Sequence, residues 1–301
     1  MIYKSFEELF SRLSVDLPPK RLAVAAADDE HTLRAVFQAR NEGVIEPFLV
    51  GNRDRIKKII AGLDEKISDD AIFPEDNANQ AAETAVRLVR EGKADFLMKG
   101  LMQTADMIRA VLNKEHGLME GDLVSLFVIA EIPKYHKLLA MSDSGIVNHP
   151  TLDQKKHIII NSVRTLKALG YDNPKVAVLA AVEKVNPKMQ ETVDAEALAD
   201  MNRRNEISDC IVEGPLSFDI ALSSEVAKIK GVESRVAGDP DLLIWPDVVS
   251  GNIAAKALEQ FADMKTIVIA VGAKVPLVIT SRGATVESKY VSIKAAALMT
   301  M

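Results

Sequence analysis

Short, nearly continuous apolar runs alternate with amphipathic segments along most of the chain. Parallel strands covered on both faces read as such runs, and the segments between them carry helical spacing, so the pattern predicts an α/β protein built of βαβ units. Strands are expected at Arg21–Ala27, Pro47–Gly51, Ala94–Lys99, Val124–Ala130, Leu138–Ser142, Lys175–Ala181, Ile211–Gly214, Leu242–Trp245, Lys265–Val271 and Leu277–Thr280. The clearest helices are Thr32–Asn41, Ala78–Glu91, Ala105–Asn113, Gln154–Leu169, Glu191–Asn205, Ile253–Asp263 and Ala284–Leu298. One interval breaks the rhythm. Only EIPKYHK separates Val124–Ala130 from Leu138–Ser142, too little for a crossover helix, and a second domain is expected to start near Gly121.

With 301 residues, of which 48% are hydrophobic, the chain can bury a core and has the length of two domains. Its 37 basic and 43 acidic residues give a formal charge of −6, which argues against a nucleic-acid or anionic-membrane binder. A single cysteine, Cys210, excludes an intrachain disulfide framework; on an expected strand it reads as a small buried apolar residue. Acidic residues interrupt the N-terminal apolar positions, and no apolar run reaches the roughly 20 residues of a membrane span, so a cytoplasmic, soluble protein is expected.

The P-loop pattern, G-x-G-x-x-G after a strand, H-E-x-x-H, C-x-x-C and G-x-S-x-G are all absent. The histidines His31, His116, His136, His149 and His157 show no metal-ligand spacing, and no metal is expected.

Four strand–loop–helix segments carry candidate chemistry. In PLVITSRGATVESK, 276–289, Ser281, Arg282 and Gly283 lie between a strand and a helix expected to open near Ala284. Backbone N–H groups, an arginine fork and a hydroxyl suit a phosphate; a serine cap with a solvated arginine fits the same residues. In MKGLMQTADMIRAVLNKEHG, 98–117, Thr104 is placed to cap a helix with Ala105, Ile108 and Leu112 on its buried arc, and Arg109 borders that arc. A snorkelling arginine fits Arg109 equally well. In MSDSGIVNHPT, 141–151, Asp143 and Ser144 stand at a strand's carboxyl end, where open α/β sheets bind ligands, or form an Asx turn. In DLLIWPDVVSGNIAAK, 241–256, Ser250 or Asn252 is placed to cap a helix, beside Asp247 and Gly251.

KGLMQTADMIRAVLNKEHG, WPDVVSGNIAAK and SRGATVESKY, together with VEGPLSFDIALS and VEKVNPKMQET, resemble the phosphate acetyl/butyryltransferase family in family order over nearly the whole chain, nearer to its butyryl branch. The resemblance implies two α/β domains of the isocitrate/isopropylmalate dehydrogenase-like kind, residues 1–121 with 275–301 and residues 122–274, an interdomain cleft as active site and a homodimer. It implies reversible transfer of a short-chain acyl group, butyryl by its nearer branch, between coenzyme A and inorganic phosphate, with the thioester as substrate and no bound cofactor. Ser281 and Arg282 match the family's Ser-Arg pair, and Arg109 matches the arginine after T-A-D. Where acetyltransferases have an aspartate after this pair, the chain has Ser288 beside Glu287, and a second arginine falls at Gln260.

In that frame the coenzyme A thiolate and phosphate are held on either side of one acyl carbon in a ternary complex, without an enzyme nucleophile. Arg109 and Arg282 would neutralise phosphate, Ser281 would donate to the carbonyl or phosphoryl oxygen, and Thr104, Gly283, Asn252 and Ser144 would contribute to binding. Glu287 and Asp143 are the carboxylates available as base; Glu287 is also explained by its place in a helix's first turn. A metal-dependent decarboxylating dehydrogenase would need clustered aspartates, and Asp143 and Asp247 are isolated. A non-catalytic acyl-CoA or phosphate sensor would be expected to lose Ser281, Arg282 and Arg109, which are retained. Phosphate acetyltransferase is the other reading within the family.

Overall fold

A computed structural model describes residues 2–11 and 18–300. Its strands are β1 (Lys20–Ala25), β2 (Ile45–Gly51), β3 (Ile72–Pro74), β4 (Phe96–Lys99), β5 (Ser125–Glu131), β6 (Leu139–Ser142), β7 (Lys175–Leu179), β8 (Ile211–Leu216), β9 (Leu242–Ile244), β10 (Lys265–Val271) and β11 (Leu277–Val278). Its α-helices are α1 (Phe6–Phe10), α2 (Glu30–Asn41), α3 (Arg53–Gly62), α4 (Ala78–Arg90), α5 (Thr104–Val111), α6 (Leu152–Ala168), α7 (Gln190–Arg203), α8 (Phe218–Leu222), α9 (Ser224–Ile229), α10 (Val248–Phe261) and α11 (Val286–Met299). Every strand expected from the apolar runs is present, and the class is α/β. β3 has no counterpart among the expectations, being three residues long with only Ile72 buried.

The chain divides into two compact units, Phe10–Asp122 with Thr266–Met301, and Met1–Leu9 with Leu123–Lys265. The division expected from the sequence was 1–121 with 275–301 and 122–274. The N-terminal residues and the segment before β11 fall differently. Met1–Leu9 joins the middle of the chain because Leu138 N donates to Tyr3 O at 2.8 Å and Tyr3 Oη donates to Leu169 O at 3.0 Å. Residues 266–274 join the first unit because β10 pairs with β11.

In the first unit the strand order is β3-β2-β1-β4-β11-β10, parallel except for the β10–β11 pair. Residues 22–27 are buried without interruption, as a strand covered on both faces requires. α4 buries Ala81, Ala82, Ala85, Val86, Leu88 and Val89, a stripe at helical spacing. Tyr290 of α11 donates to Glu42, just past α2, at 2.5 Å, tying the last helix to this unit. In the second unit the order is β5-β6-β9-β7-β8, with only β5–β6 antiparallel. No helix among the described residues is long and apolar enough to cross a membrane.

Two helices bury less than their sequences suggest. On α5 the buried residues are Met107 and Val111; Ala105 and Leu112 are exposed and Ile108 is half-buried, so the expected arc is rotated. α10 buries only Gly251 and leaves Val249, Ile253 and Phe261 in solvent. Cys210 is buried immediately before β8, where burial pushes its thiol up to about 12.

Candidate active site

β4 and β11 run parallel with Leu277 opposite Leu97 and Val278 opposite Met98, bringing the end of β4 beside the loop that follows β11. Lys99 ends β4. Its side chain is buried at 2% exposure, and its Nζ donates to the carbonyl oxygens of Met102 at 3.2 Å and Gly100 at 3.4 Å. Gly100 is dictated by space: a Cβ there would lie 2.9 Å from Ala25 O and would overlap Ala26 O. Close approach of β4 to the end of β1 therefore turns the chain over Lys99.

Lys289, also buried at 3%, extends from α11 and donates to Thr280 Oγ1 at 3.3 Å. Burial above all, joined by the positive charges of Lys289 and Arg282 and opposed by Asp29, lowers the Lys99 pKa from 10.5 to about 8. Lys289 is depressed for the same first reason, with Asp29 again opposing. Among the described residues, no carboxylate forms an ion pair with Lys99, Lys289 or Arg282. The end of β4 and the β11–α11 loop thus hold concentrated positive charge that Asp29 offsets only from outside ion-pair distance.

Ser281, Arg282 and Gly283 are exposed and form a turn in which Ala284 N donates to Ser281 O at 3.1 Å. α11 opens later than expected, because Thr285 is its N-cap and accepts from Ser288 N at 3.1 Å. Ser281 is therefore not the helix cap, and its hydroxyl makes only a 3.4 Å contact with Gly283 N. No atom lies within 4 Å of the position a Gly283 Cβ would take, so that side of the turn is open. Glu287 is exposed in the first turn of α11, and Ser288 donates to Thr266 O at 3.1 Å.

Arg109 lies elsewhere on this unit. It pairs with Asp106 at 2.8 Å and lines a cavity of about 460 Å³ with Arg87, Arg90 and His116, which none of Ser281, Arg282 and Lys99 lines. Thr104 does not cap α5; Gln103 occupies that position without a side-chain bond.

In the other unit Asp143 is almost fully buried. Its Oδ1 accepts from Gly145 N at 2.7 Å and Ile146 N at 2.9 Å, its Oδ2 from Leu126 N at 2.8 Å and Val147 N at 3.4 Å. Burial raises its pKa, and these four bonds oppose the rise. With both oxygens committed to backbone, Asp143 is a loop anchor rather than an available base. Ser144 is buried, and its carbonyl accepts from Asn252 Nδ2 at 3.2 Å. Neither Asn252 nor Ser250 caps α10. Asp247 does, accepting from Ser250 N at 2.8 Å. A cavity of about 690 Å³ opens beyond β7 and β9, walled by Trp245, Phe218, Leu179 and His149 and by the buried Lys155–Asp194 pair, 2.7 Å apart. Phe218 stacks on Trp245 with ring centroids 5.9 Å apart.

Lys99 and Lys289 were not among the residues the sequence singled out. Their signal was a lysine closing an apolar strand directly before glycine, and a lysine within the apolar positions of the last helix.

Residues 74–298 match the family described as Phosphate acetyl/butaryl transferase. The chain belongs to that family. It is 43% identical to the phosphate butyryltransferase of Clostridium acetobutylicum over 296 residues, covering 98% of each chain. It is 42% identical to the phosphate acetyltransferase of Thermotoga maritima over 282 residues, 93% of this chain and 95% of the relative. The crystal structure of a branched-chain phosphotransacylase from Enterococcus faecalis V583 superposes with a TM-score of 0.81 at 28% identity, covering 93% of this chain and 99% of that one. Family members thus include both acyl specificities, and the α/β fold is the one phosphotransacylases have.

Proposed function

We propose that the chain is a phosphate acyltransferase that moves a short-chain acyl group, preferentially butyryl, reversibly between coenzyme A and inorganic phosphate. The observation that carries this reading is the cluster of Lys99, Lys289 and Arg282, none ion-paired to a carboxylate among the described residues, beside the open Ser281–Gly283 turn, in a chain of this family. Buried cations without carboxylate partners are costly unless an anion completes them. Phosphate and acyl phosphate are anions of suitable charge.

In the direction that consumes acyl phosphate, the coenzyme A thiol loses its proton and its sulfur bonds to the acyl carbon, while the bond from that carbon to the bridging oxygen breaks and phosphate leaves. Arg282 holds phosphoryl oxygens as a planar fork, and Ser281 donates to the oxygen on which charge develops. Glu287, exposed in the first turn of α11, is the carboxylate near this loop free to take the thiol proton. Thr104, Gly283, Asn252 and Ser144 complete the assignment as substrate-binding residues, with Arg109 taking an anionic portion of a substrate in its own cavity. The reaction needs no bound cofactor, and the protein acts in the cytoplasm as a homodimer. The exposed Val249, Ile253 and Phe261 of α10 supply an apolar face suited to a second copy.

Acetyl transfer is the second reading, favoured by the 42% identity to an acetyltransferase. Release of free thiol from butyryl-CoA that depends on added phosphate tests the class; thiol release without phosphate, or none, refutes it. Each buried CH₂ contributes about 0.8 kcal/mol, so two methylenes favour butyryl-CoA over acetyl-CoA by roughly tenfold in kcat/KM. A larger kcat/KM for acetyl-CoA replaces the butyryl assignment with the acetyl one.

A further inference from the structure

Four lysines are buried among the described residues: Lys99, Lys137, Lys155 and Lys289. Two have carboxylates. Lys137 Nζ lies 2.6 Å from Asp241 and 2.8 Å from Asp239, and Lys155 Nζ lies 2.7 Å from Asp194. Lys99 and Lys289 have only carbonyl and hydroxyl oxygens, at 3.2 to 3.4 Å. The Lys289 charge is instead placed where it makes Lys99 harder to ionise.

The groups that face Lys99 come from each element around it. Lys289 comes from α11, Arg282 from the β11–α11 turn, and Asp29 from the N-cap of α2. The Asp29 carboxylate is engaged at its own helix, accepting from Thr32 N at 2.9 Å and from Thr32 Oγ1 at 2.5 Å. It moderates the cluster without forming an ion pair with it. The positive surplus therefore awaits a negative charge from outside the chain.

We infer that Lys99 is an anion ligand of the phosphate site that takes up a proton from solvent when phosphate binds, with Lys289 as its partner cation. The inference rests on the reading of this loop as a phosphate site and adds to it a proton-coupled ligand that the Ser-Arg pair does not contain. In the empty site the amine is about half charged near pH 8. A bound dianion at contact distance favours the ammonium form, so above that pH each phosphate brings close to one proton with it. Affinity for the phosphate dianion is then level below about pH 8 and falls about tenfold per pH unit above it, because the proton must first be taken from an increasingly dilute pool.

The test is calorimetric titration of inorganic phosphate into the full chain at about pH 9, where free phosphate is already a dianion, in two buffers of different ionisation enthalpy. The difference in apparent heat counts the protons. Expected is saturable binding with uptake approaching one proton per phosphate, lost in Lys99→Met, which binds at least tenfold more weakly at about pH 7. Lys289→Met is expected to weaken binding and to reduce the uptake without abolishing it, because removing its charge raises the Lys99 pKa; the remaining uptake separates the two lysines. Saturable binding to the wild type without uptake overturns the inference, as does uptake unchanged in Lys99→Met; absence of phosphate binding overturns it as well. If Lys99→Met does not fold, the wild-type proton count decides. A chain that binds phosphate with proton uptake but releases no thiol from acyl-CoA would sink the acyltransferase reading and leave this one standing.

Discussion

Gly100→Ala turns the close approach beneath the anion loop into a measurable quantity. The added methyl would sit 2.9 Å from Ala25 O and nearer still to Ala26 O. Those two carbonyls accept from Gly100 N at 2.8 Å and Leu101 N at 2.9 Å. Relieving the overlap means moving the end of β4 away from β1, stretching both hydrogen bonds at about 1 kcal/mol each. Displacing packed neighbours adds about 1 to 3 kcal/mol. Alanine recovers about 0.5 to 1 kcal/mol through the less flexible unfolded chain, leaving a net loss of about 2 to 4 kcal/mol. Gly62→Ala is the control, since nothing lies within 4 Å of its Cβ position at the end of α3, and alanine there is expected to stabilise by a few tenths to 1 kcal/mol. Equilibrium urea unfolding followed by far-ultraviolet circular dichroism compares the two. Because Lys99 precedes Gly100, the KM for phosphate is also expected to rise in Gly100→Ala and stay unchanged in Gly62→Ala. A stability loss below about 1 kcal/mol would refute the claim that space alone imposes glycine here.

Arg282→Lys is expected to raise the KM for phosphate at least tenfold, because a point charge cannot reproduce a planar fork; unchanged phosphate kinetics remove Arg282 from the site. Cys210→Ala is expected to keep turnover within about twofold, and the wild-type thiol, held near 12 by burial, to react slowly with alkylating reagents at neutral pH; an acyl group trapped on Cys210 would overturn direct transfer. Asp194→Asn, which strips Lys155 of its buried partner, is expected to cost about 3 to 5 kcal/mol, whereas Lys155→Met with Asp194→Leu costs far less in the same urea assay; equal losses would contradict the pairing. In the empty protein the lowered Lys99 pKa means that the unfolded chain binds more protons between about 8 and 10.5, so stability rises with pH across that window. Lys99→Met is expected to flatten that rise, and a pH–stability curve unaffected by the change would show Lys99 charged throughout.

The strands were legible because parallel strands leave long apolar runs, and residues 22–27 and 267–271 need no partner in sequence to be recognised. α5 was harder. Ala105, Ile108 and Leu112 form as regular a stripe as Met107 and Val111, and periodicity alone does not say which stripe meets the sheet. Caps were misassigned for a related reason: Thr285 and Asp247 compete with Ala284, Ser250 and Asn252 as helix starts within a few residues. In the candidate site the exposed Ser281, Arg282 and Gly283 could be named from their loop. Lys99 and Lys289 could not, because their importance lies in lacking a carboxylate, and the absence of a partner appears only when the chain is folded. Asp143 shows the converse, a carboxylate that looks available until four backbone N–H groups are found on it.

β11 lies between β4 and β10, so an interior strand of its unit is made only after Leu123–Lys265. During synthesis β4 must wait, with one edge unpaired, while the whole of Leu123–Lys265 emerges and can complete its own sheet. The anion-binding turn at 281–283 forms only after that insertion. A chain released before β11 is expected to lack the Arg282 turn and the Lys289 amine while exposing an adhesive β4 edge, which makes premature termination a route to aggregation rather than to a partly active enzyme.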